Sequence, residues 1–296
     1  MIESRGNSNE ITRRYLDSLL IETRYMNSRI PELETELFGK KVPSPVMTAA
    51  LSHLDHFMFP GASKAYLEGV VRSGAVLWLG MAEEEEVEMY AQTGVTMVEV
   101  IKPYADRDLI YKKIEQAARL KMLAVGIDID HPFSEDGGYD EVDGYPMLPM
   151  TTEELKEICA FSPLPVVAKG VLSVYDANEA IDAGAAGLLL SHHNNRIVSA
   201  IPPLMAMPKI RAHMKKQVPL FVDCEIRSGM DAFKALCLGA SGVGVGRPLM
   251  TALKKDGPDG VAAYLKEVND GLRKAMAYTG CADMSSLDET IVWGVR

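Results

Sequence analysis

The chain alternates short apolar runs with longer stretches in which apolar residues recur at helical spacing. Four runs in the second half show this most clearly, at residues 164–168, 187–190, 219–222 and 241–245, and each stops at a polar or glycine-rich tip. Uninterrupted apolar runs of this length are typical of strands that are buried on both faces of a parallel sheet. The pattern therefore predicts an α/β fold in which helices connect parallel strands.

The first half continues the pattern. We predict four further strands at 45–49, 75–79, 96–101 and 123–127, and helices at 11–25, 63–72, 81–90, 106–120, 151–161, 174–183, 207–215, 229–238 and 261–278. Residues 130–150 are rich in Gly, Asp and Pro, which predicts a long loop over the strand ends. Eight strand–helix units predict a single-domain (β/α)8 TIM barrel. We expect an arm and helix over residues 1–40, whose first ten residues form a loose tail, then the barrel over 41–280 and a tail over 281–296.

Composition narrows the class of protein. A chain of 296 residues with 47% apolar residues can build one large core. A net charge of −10 argues against nonspecific binding to nucleic acid or anionic membranes. The four cysteines form no CxxC pair, and neither a signal core nor a membrane-length apolar run is present. We expect a cytoplasmic protein that acts on a small-molecule substrate, with no nucleic-acid or membrane partner and no metal.

Two turns after the seventh and eighth predicted strands are typical of a phosphate site. The first, DCEIRSG, runs from Asp223 to Gly229, and the second contains Gly246 and Arg247. Barrels commonly bind phosphate with the loops after these two strands. Glycine allows close approach of backbone N–H groups, and Arg227 or Arg247 can neutralise a dianion. The two turns together predict that a phosphate binds at this edge of the barrel.

Other polar residues follow the fifth and sixth strands. Lys169 ends the fifth strand and is expected to point into the barrel mouth, where it can oppose negative charge on a ligand. In the loop SHHNNR, His193 and Arg196 lie three apart and can converge on one ligand. Histidine suits proton abstraction near neutral pH, and arginine suits bidentate binding of a carboxylate. These residues predict an active site at the same mouth.

The third and fourth strands end in further charges. Asp128 and Asp130 are two residues apart and so point the same way on a strand. Buried carboxylates are costly unless they are paired or hold a ligand. Metal binding is conceivable there, although no other clustered ligands support it. Glu99 and Lys102 have opposite parity, so a regular strand can direct only one of them inward.

With these residues in place, the chain resembles the FMN-dependent α-hydroxy-acid oxidases and dehydrogenases, such as glycolate oxidase, lactate oxidase and flavocytochrome-type lactate dehydrogenase. The resemblance covers residues 20–255 and is strongest from residue 164 onward. The family pattern has VVKGV, SNHGGRQ, DGGIRRG and GRP, where this chain has VVAKGV, SHHNNRI, DCEIRSG and GRP. The resemblance implies FMN as the cofactor and a homo-oligomer, specifically a tetramer.

The resemblance also implies roles for individual residues. His193 would be the base that takes the substrate's hydroxyl proton, with Asp130 in the place of the family's aspartate on the fourth strand. Lys169 would stabilise the reduced flavin, and Arg196 would hold a substrate carboxylate. The implied cofactor contacts are Thr48, Ala49, Ala50, Gly80, Glu99, Asp128, Lys169, Ser191, Asp223, Arg227, Gly246 and Arg247.

Several positions depart from the family pattern. The family's FQLY on the third strand is VEVIK here, so Glu99 or Val100 replaces the Gln and Ile101 or Lys102 replaces the Tyr. The segment after the fourth strand lacks the family's second carboxylate-binding arginine, which removes charge-assisted hydrogen bonds. The resemblance and these departures predict an FMN-dependent oxidoreductase that moves a hydride from a hydroxyl- or amine-bearing carbon to flavin N5. We do not expect a standard small α-hydroxy acid to be the substrate. We predict that the substrate is neutral or cationic.

Two alternatives stay open at this point. One is an FMN-dependent isomerase of the type 2 isopentenyl-diphosphate isomerase kind, in which the extra acids would hold Mg²⁺. The other is a non-catalytic protein that binds FMN as a sensor or structural subunit.

Overall fold

Eight short parallel strands form one sheet in the computed structural model, which describes residues 6–294. In chain order they are β1 (Val46–Thr48), β2 (Leu77–Leu79), β3 (Met97–Ile101), β4 (Ala124–Asp128), β5 (Val166–Val171), β6 (Gly187–Leu190), β7 (Leu220–Val222) and β8 (Gly242–Val245). Their spatial order, β1-β8-β7-β6-β5-β4-β3-β2, places each strand beside its neighbours in the chain. Between β1 and β2, Thr48 N donates to Val76 O at 3.1 Å, and Leu51 pairs with Leu79. The sheet is thus a nearly closed cylinder, which confirms the predicted TIM barrel.

Helices follow the strands and pack outside them. They are α1 (Ser8–Ser18), α2 (Leu54–Phe57), α3 (Ala62–Ser73), α4 (Glu84–Gln92), α5 (Arg107–Arg119), α6 (Thr152–Phe161), α7 (Val174–Asp182), α8 (Pro203–His213), α9 (Gly229–Cys237) and α10 (Arg247–Tyr278). Capping boxes at Thr151 and Ser228 begin α6 and α9, because each side chain accepts from a backbone N–H three residues later. No helix within residues 6–294 is both long enough and apolar enough to cross a membrane.

Some predicted boundaries were wrong. α1 begins at Ser8 because the Asn7 side chain caps it, and it ends at Ser18 because Leu19 is extended, so it neither starts at residue 11 nor reaches 25. The loose tail predicted over residues 1–10 is therefore helical from Ser8, and residues 1–5 lie outside the described chain. α8 begins four residues earlier than predicted, and α10 begins at Arg247 with a break at Asp256 and Gly257. The short helix α2 was missed.

Three pairs of short antiparallel strands complete the fold. Thr35–Leu37 pairs with Lys40–Val42 before β1, and Leu20–Ile21 pairs with Val292–Trp293. Glu141–Val142 pairs with Tyr145–Pro146 inside the loop predicted at 130–150. Two single 3-10 turns, Met284–Ser286 and Glu289–Ile291, precede the last short strand.

Strand parity separates the inside of the cylinder from the outside. Val98 and Val100 of β3, Val167 of β5 and Phe221 of β7 pack in one buried cluster inside the barrel. Leu37 and Val42 of the hairpin before β1 belong to the same cluster, so this hairpin covers the N-terminal end of the cylinder. Lys102 and Lys169 follow Val100 and Val167 by two residues, and Asp128 follows Ala124 by four, so all three have inward parity at the C-terminal end. The fold thus leaves charged groups inside one mouth.

Candidate active site

One cavity of about 1070 Å³ opens at the C-terminal end of the strands. Lys169, His193 and Lys102 line one part of it, which we call the ring end. Arg227 and Arg247 line the other part, which we call the phosphate end. The lysine, the histidine and the two arginine-bearing turns therefore share a single hollow, as the sequence pattern predicts.

A buried carboxylate joins two lysines at the ring end. Asp128 has no exposed side-chain surface, and its two oxygens accept separately from Lys102 Nζ at 2.6 Å and Lys169 Nζ at 2.9 Å. Asp128 and Lys169 are direct partners in the ladder between β4 and β5, so strand register fixes this pair. Each charge has an opposite charge as partner, which is the condition for keeping such groups away from water.

The charges around Asp128 set its protonation. Burial by itself would raise the pKa of this carboxyl, but the positive charges of Lys102 and Lys169 hold it well below its usual range. Burial likewise opposes the charge on Lys169, yet Asp128 and Asp130 raise the pKa of that ammonium above its ordinary value. Burial, together with the charge of Lys169, lowers the pKa of Lys102 despite the attraction of Asp128.

His193 is oriented by the second aspartate of β4. Its Nδ1 lies 2.8 Å from Asp130 Oδ1 and 3.2 Å from Lys169 Nζ. The carboxylate is the better partner for an N–H, so we assign Nδ1–H to Asp130, which leaves Nε2 to accept a proton. Gly170, with φ of +96°, makes this contact possible, because a Cβ there would lie 2.2 Å from Asp130 Cγ. Burial raises the pKa of Asp130, and Asp128 adds to the effect although Lys169 opposes it.

Lys102 also begins a chain of contacts that ends at the arginine predicted to hold a carboxylate. Lys102 Nζ lies 2.7 Å from His131 Nδ1, and His131 Nε2 lies 2.9 Å from Asp140 Oδ2. Burial and the charge of Lys102 lower the pKa of His131 to about 3, so the ring is neutral and donates from Nε2 to Asp140. Arg196 donates to the same Asp140 oxygen at 2.5 Å and to the Phe133 carbonyl. The guanidinium of Arg196 is thus occupied by the loop after β4 and does not line the cavity.

Three side chains at the ring end have the spacing of a metal site. Ligand atoms of Asp128, His131 and His193 lie within 4.8 Å of one another. The ammonium groups of Lys102 and Lys169 already contact these same atoms, at 2.6 to 3.2 Å. Two cations in this position oppose the binding of a third, so the geometry favours an ion-pair network.

At the phosphate end, the two predicted arginines share a carboxylate. Glu225 Oε2 lies 2.5 Å from an Arg227 nitrogen, and Glu225 Oε1 contacts Arg247. The Glu225 side chain is 1% exposed, whereas those of Arg227 and Arg247 are 54% and 48% exposed. The glutamate thus occupies the position between the arginines that an anionic ligand would take.

Backbone strain accompanies two segments of the site. Cys224 and Glu225 have φ of +65° and +64°, and Asn194 and Asn195 have φ of +56° and +69°. The family pattern has glycine at all four positions, and glycine adopts this region freely. Asparagine tolerates it, but Cys and Glu are held there at a cost of about 1–3 kcal/mol each.

The N-terminal helix braces both segments. Asn9 Nδ2 donates to Asn194 Oδ1 at 3.0 Å, and Ser8 N donates to Asn195 Oδ1 at 2.7 Å. Arg13 donates to the Glu225 carbonyl at 3.0 Å.

The first histidine of the adjacent pair serves the same brace. His192 is buried against Thr12, with Nε2 3.0 Å from Thr12 Oγ1. His192 is therefore structural, and of this adjacent pair it is His193 that lines the cavity.

The predicted cofactor residues fall into two groups. Ala49, Ala50, Lys169, Asp223, Arg227, Gly246 and Arg247 line the cavity. Thr48, Gly80, Glu99, Asp128 and Ser191 do not line it.

Each residue of the second group has another partner. Thr48 Oγ1 accepts from Trp78 N between β1 and β2, and a Cβ at Gly80 would meet Ser52 Oγ at 2.0 Å. Ser191 Oγ accepts from His193 N and shapes the loop, and Asp128 lies beneath its two lysines. Glu99 points to the outer face of β3, 3.1 Å from Lys113 of α5, so Lys102 is the inward residue of that parity pair.

The sequence pattern did not single out three residues that belong to the contacts of this site. His131 directly follows Asp130 at a strand end, and this position alone could have marked it as a candidate. Glu225 was noted only as a replaced glycine, because no local pattern shows that its carboxylate reaches both Arg227 and Arg247. Asp140 lies deep in a loop without periodicity, so no local signal connects it to Arg196.

Comparison with known proteins identifies the family. The model of the FMN-dependent dehydrogenase family matches residues 4–152 and 139–294. The chain belongs to this family. L-lactate oxidase of Roseobacter sp. (strain GAI101) is 30% identical over 293 residues, covering 88% of this chain and 79% of that protein. Human 2-hydroxyacid oxidase 1 is 26% identical over 306 residues, covering 88% and 81%.

Solved structures agree with this family. A mandelate oxidase variant with 2-hydroxy-phenylacetamide superposes with a TM-score of 0.86 at 27% identity, covering 96% of this chain and 88% of that one. Mandelate oxidase with (S)-2-phenylpropionate gives a TM-score of 0.85 at 26% identity, covering 96% and 88%. The protein is an FMN-dependent oxidoreductase, and FMN is its cofactor.

The residues present fit that cofactor. Gly244 and Gly246 form a wall without side chains, and a Cβ at either would lie within about 3.3 Å of Ala49. Arg227 and Arg247 would hold the phosphate, and Lys169 would face the ring. Of the alternatives for the family's Gln and Tyr, Val100 and Lys102 have inward parity, whereas Glu99 and Ile101 face the outer side of β3.

Proposed function

We propose that this FMN-dependent oxidoreductase oxidises a hydroxyl- or amine-bearing carbon of a substrate that lacks a carboxylate. Relatives named L-lactate oxidase, glycolate oxidase and 2-hydroxyacid oxidase support α-hydroxy-acid oxidase chemistry in general. The narrower substrate class rests on one observation, which is the engagement of Arg196 by Asp140. This contact occupies the cation that would otherwise hold a substrate carboxylate.

The charge balance of the ring end supports the same conclusion. Lys102 and Lys169 are offset by Asp128 and Asp130, and Arg196 is offset by Asp140. Within the described residues, each of these cations thus has an acidic partner. A carboxylate that enters the ring end would lose its hydration without gaining an unpaired cation, which is unfavourable.

His193 would act as the base. Its Nε2 takes the proton from the substrate hydroxyl or amine, while Asp130 holds Nδ1–H and stabilises the resulting imidazolium. Bound FMN supplies the acceptor for the hydride that leaves the carbon. Lys102 lines the cavity, and we assign it to the position of the family's Tyr, where its ammonium can donate a hydrogen bond to the substrate oxygen.

The test compares substrates that share one reacting carbon and differ in charge. Mandelate, methyl mandelate and mandelamide are mixed anaerobically with the FMN-loaded protein, and bleaching of the visible flavin absorption is followed. Lactate, methyl lactate and lactamide form a second series. We expect the neutral ester and amide to reduce the flavin faster than the acid in each series. Faster reduction by the acid in both series would contradict the proposal.

A variant sharpens this test. Asp140→Asn removes the charge that occupies Arg196, so the acid should gain relative to the amide by roughly tenfold. Glu88→Gln serves as the matched control, because it breaks a carboxylate–arginine pair on the outer helices, with Arg119 at 2.5 Å. An unchanged acid-to-amide ratio in Asp140→Asn would show that Arg196 does not set the preference.

The open alternatives are less well supported by the geometry. A diphosphate-isomerase reaction with Mg²⁺ would need a cation site near the ring, and the ammonium groups of Lys102 and Lys169 already contact Asp128, His131 and His193. A purely structural FMN protein would have no use for a histidine oriented by a carboxylate. Location in the cytoplasm and assembly into a homo-oligomer stay predictions.

A further inference from the structure

Glu225 stands in the phosphate end of the cavity and contacts both arginines that would hold the FMN phosphate. Its side chain is buried, and the oxygens bind different arginines, Oε1 to Arg247 and Oε2 to Arg227. This arrangement resembles the way an external anion would bind. The carboxylate is therefore in direct competition with a phosphate for the same donors.

The glutamate is held there by its backbone. Cys224 and Glu225 both have positive φ, a region that neither residue favours. Arg13 of α1 donates to the Glu225 carbonyl, and the same guanidinium donates to Asp231, which completes the capping box of α9. A strained conformation persists only where its surroundings fix it. Helix α1 provides that support, so the position of Glu225 is a built feature of the turn.

The electrostatic consequence concerns the tail of the flavin. Glu225 lowers the summed charge of this arginine pair from +2 to +1. A phosphate dianion must displace the carboxylate from its donors or share them with it, and in either case binding is weakened. A flavin with an uncharged tail is not attracted by the arginines and does not compete with Glu225.

We propose that Glu225 is an internal competitor for the FMN phosphate and determines how strongly the protein prefers FMN to riboflavin. The proposal rests on FMN as the cofactor and not on the choice of substrate. Flavin binding, rather than turnover, therefore tests it.

The experiment measures the dissociation constants of FMN and riboflavin by quenching of flavin fluorescence on the flavin-free protein. In Glu225→Gln, we expect FMN to bind roughly tenfold tighter, since both arginines lose a competing carboxylate while they stay half exposed. Riboflavin affinity should change by less than about twofold, because riboflavin has no phosphate to gain from the change. Glu88→Gln should change neither constant.

A second variant covers the case in which glutamine disturbs the turn. Glu225→Gly removes the carboxylate and also suits the positive φ, so it should tighten FMN binding in the same way. The wild-type protein itself should prefer FMN to riboflavin by only a modest factor, about tenfold or less.

Three results would overturn the proposal. FMN binding could be unchanged or weaker in both variants while thermal unfolding stays cooperative. Both flavins could gain equally, which would point to a change in cavity shape. The wild-type protein could already prefer FMN by several hundredfold, which would leave no competition to remove.

Discussion

The two ends of the cavity solve the same electrostatic problem in different ways. At the ring end, Asp128 pairs with Lys102 and Lys169, and all three side chains are buried. At the phosphate end, Glu225 pairs with Arg227 and Arg247, whose side chains remain about half exposed. Each end has one carboxylate between two cations, yet only one end keeps its cations away from water.

This difference in burial implies a difference in exchange. A buried cation that loses its carboxylate has no water to replace it, so the ring-end network is expected to be fixed. An exposed arginine can be solvated as it changes partners, so the phosphate end can exchange Glu225 for a ligand. The ring end is therefore suited to fixed chemistry, and the phosphate end is suited to cofactor exchange.

The largest expected effect belongs to the ring end. His193→Ala removes the proposed base and should lower the rate of anaerobic flavin reduction by about 10²–10⁴-fold. FMN affinity should stay nearly the same, because the two arginines proposed to hold the phosphate lie at the other end of the cavity. Rapid mixing of FMN-loaded protein with substrate measures the rate, and flavin fluorescence measures the affinity. A rate within a few-fold of wild type would remove His193 from the mechanism.

Stability provides the next comparison. Asp128→Asn leaves two buried lysines without their carboxylate and should lower the free energy of unfolding by about 3–5 kcal/mol. Glu225→Gln leaves two half-exposed arginines that water can solvate, so the loss should be below about 1 kcal/mol. Urea unfolding of the flavin-free variants measures both values. Equal losses would mean that the two ends do not differ as their burial implies.

The last comparison concerns the slope of stability with pH at the ring end. His131 has a folded pKa of about 3, whereas an unfolded histidine titrates near ~6.5. Between these values the unfolded chain binds the proton and the folded chain does not, so stability falls as pH is lowered, by up to ~1.4 kcal/mol per pH unit. His131→Gln should flatten this part of the curve, as measured by urea unfolding at a series of pH values. Parallel curves for the two proteins would show that His131 is not the group responsible.

The sequence was most informative where strands carry their own signals. Polar residues follow the apolar runs of β5 to β8, and this pattern predicted that Lys169, His193, Asp223 and Arg247 are neighbours. Parallel strands bring their C-terminal ends to one edge. Strand parity also predicted that Asp128 and Asp130 share a direction, and both contact the Lys169–His193 pair. Local periodicity was enough to predict these contacts, because the barrel geometry brings the ends of its strands together.

Other features depended on residues that meet only after folding. Arg196 could be named from the loop SHHNNR, but its partner Asp140 lies 56 residues away in a segment without periodicity. From the sequence, either Glu99 or Lys102 could face inward. Val98 and Val100 pack inside the barrel, so Lys102, which has the same parity, is the inward residue.

The chain by itself therefore determined the barrel, the resemblance that implies FMN and the polar residues that meet at one mouth, since periodicity and strand-end residues are local properties. Only the tertiary structure decided which cations are free and which are already paired. Ion pairs across loops depend on distances between segments far apart in the chain, and no local pattern encodes those distances. The pairing of Arg196 with Asp140, and of Glu225 with two arginines, is the part that separates this protein's expected chemistry from the family pattern.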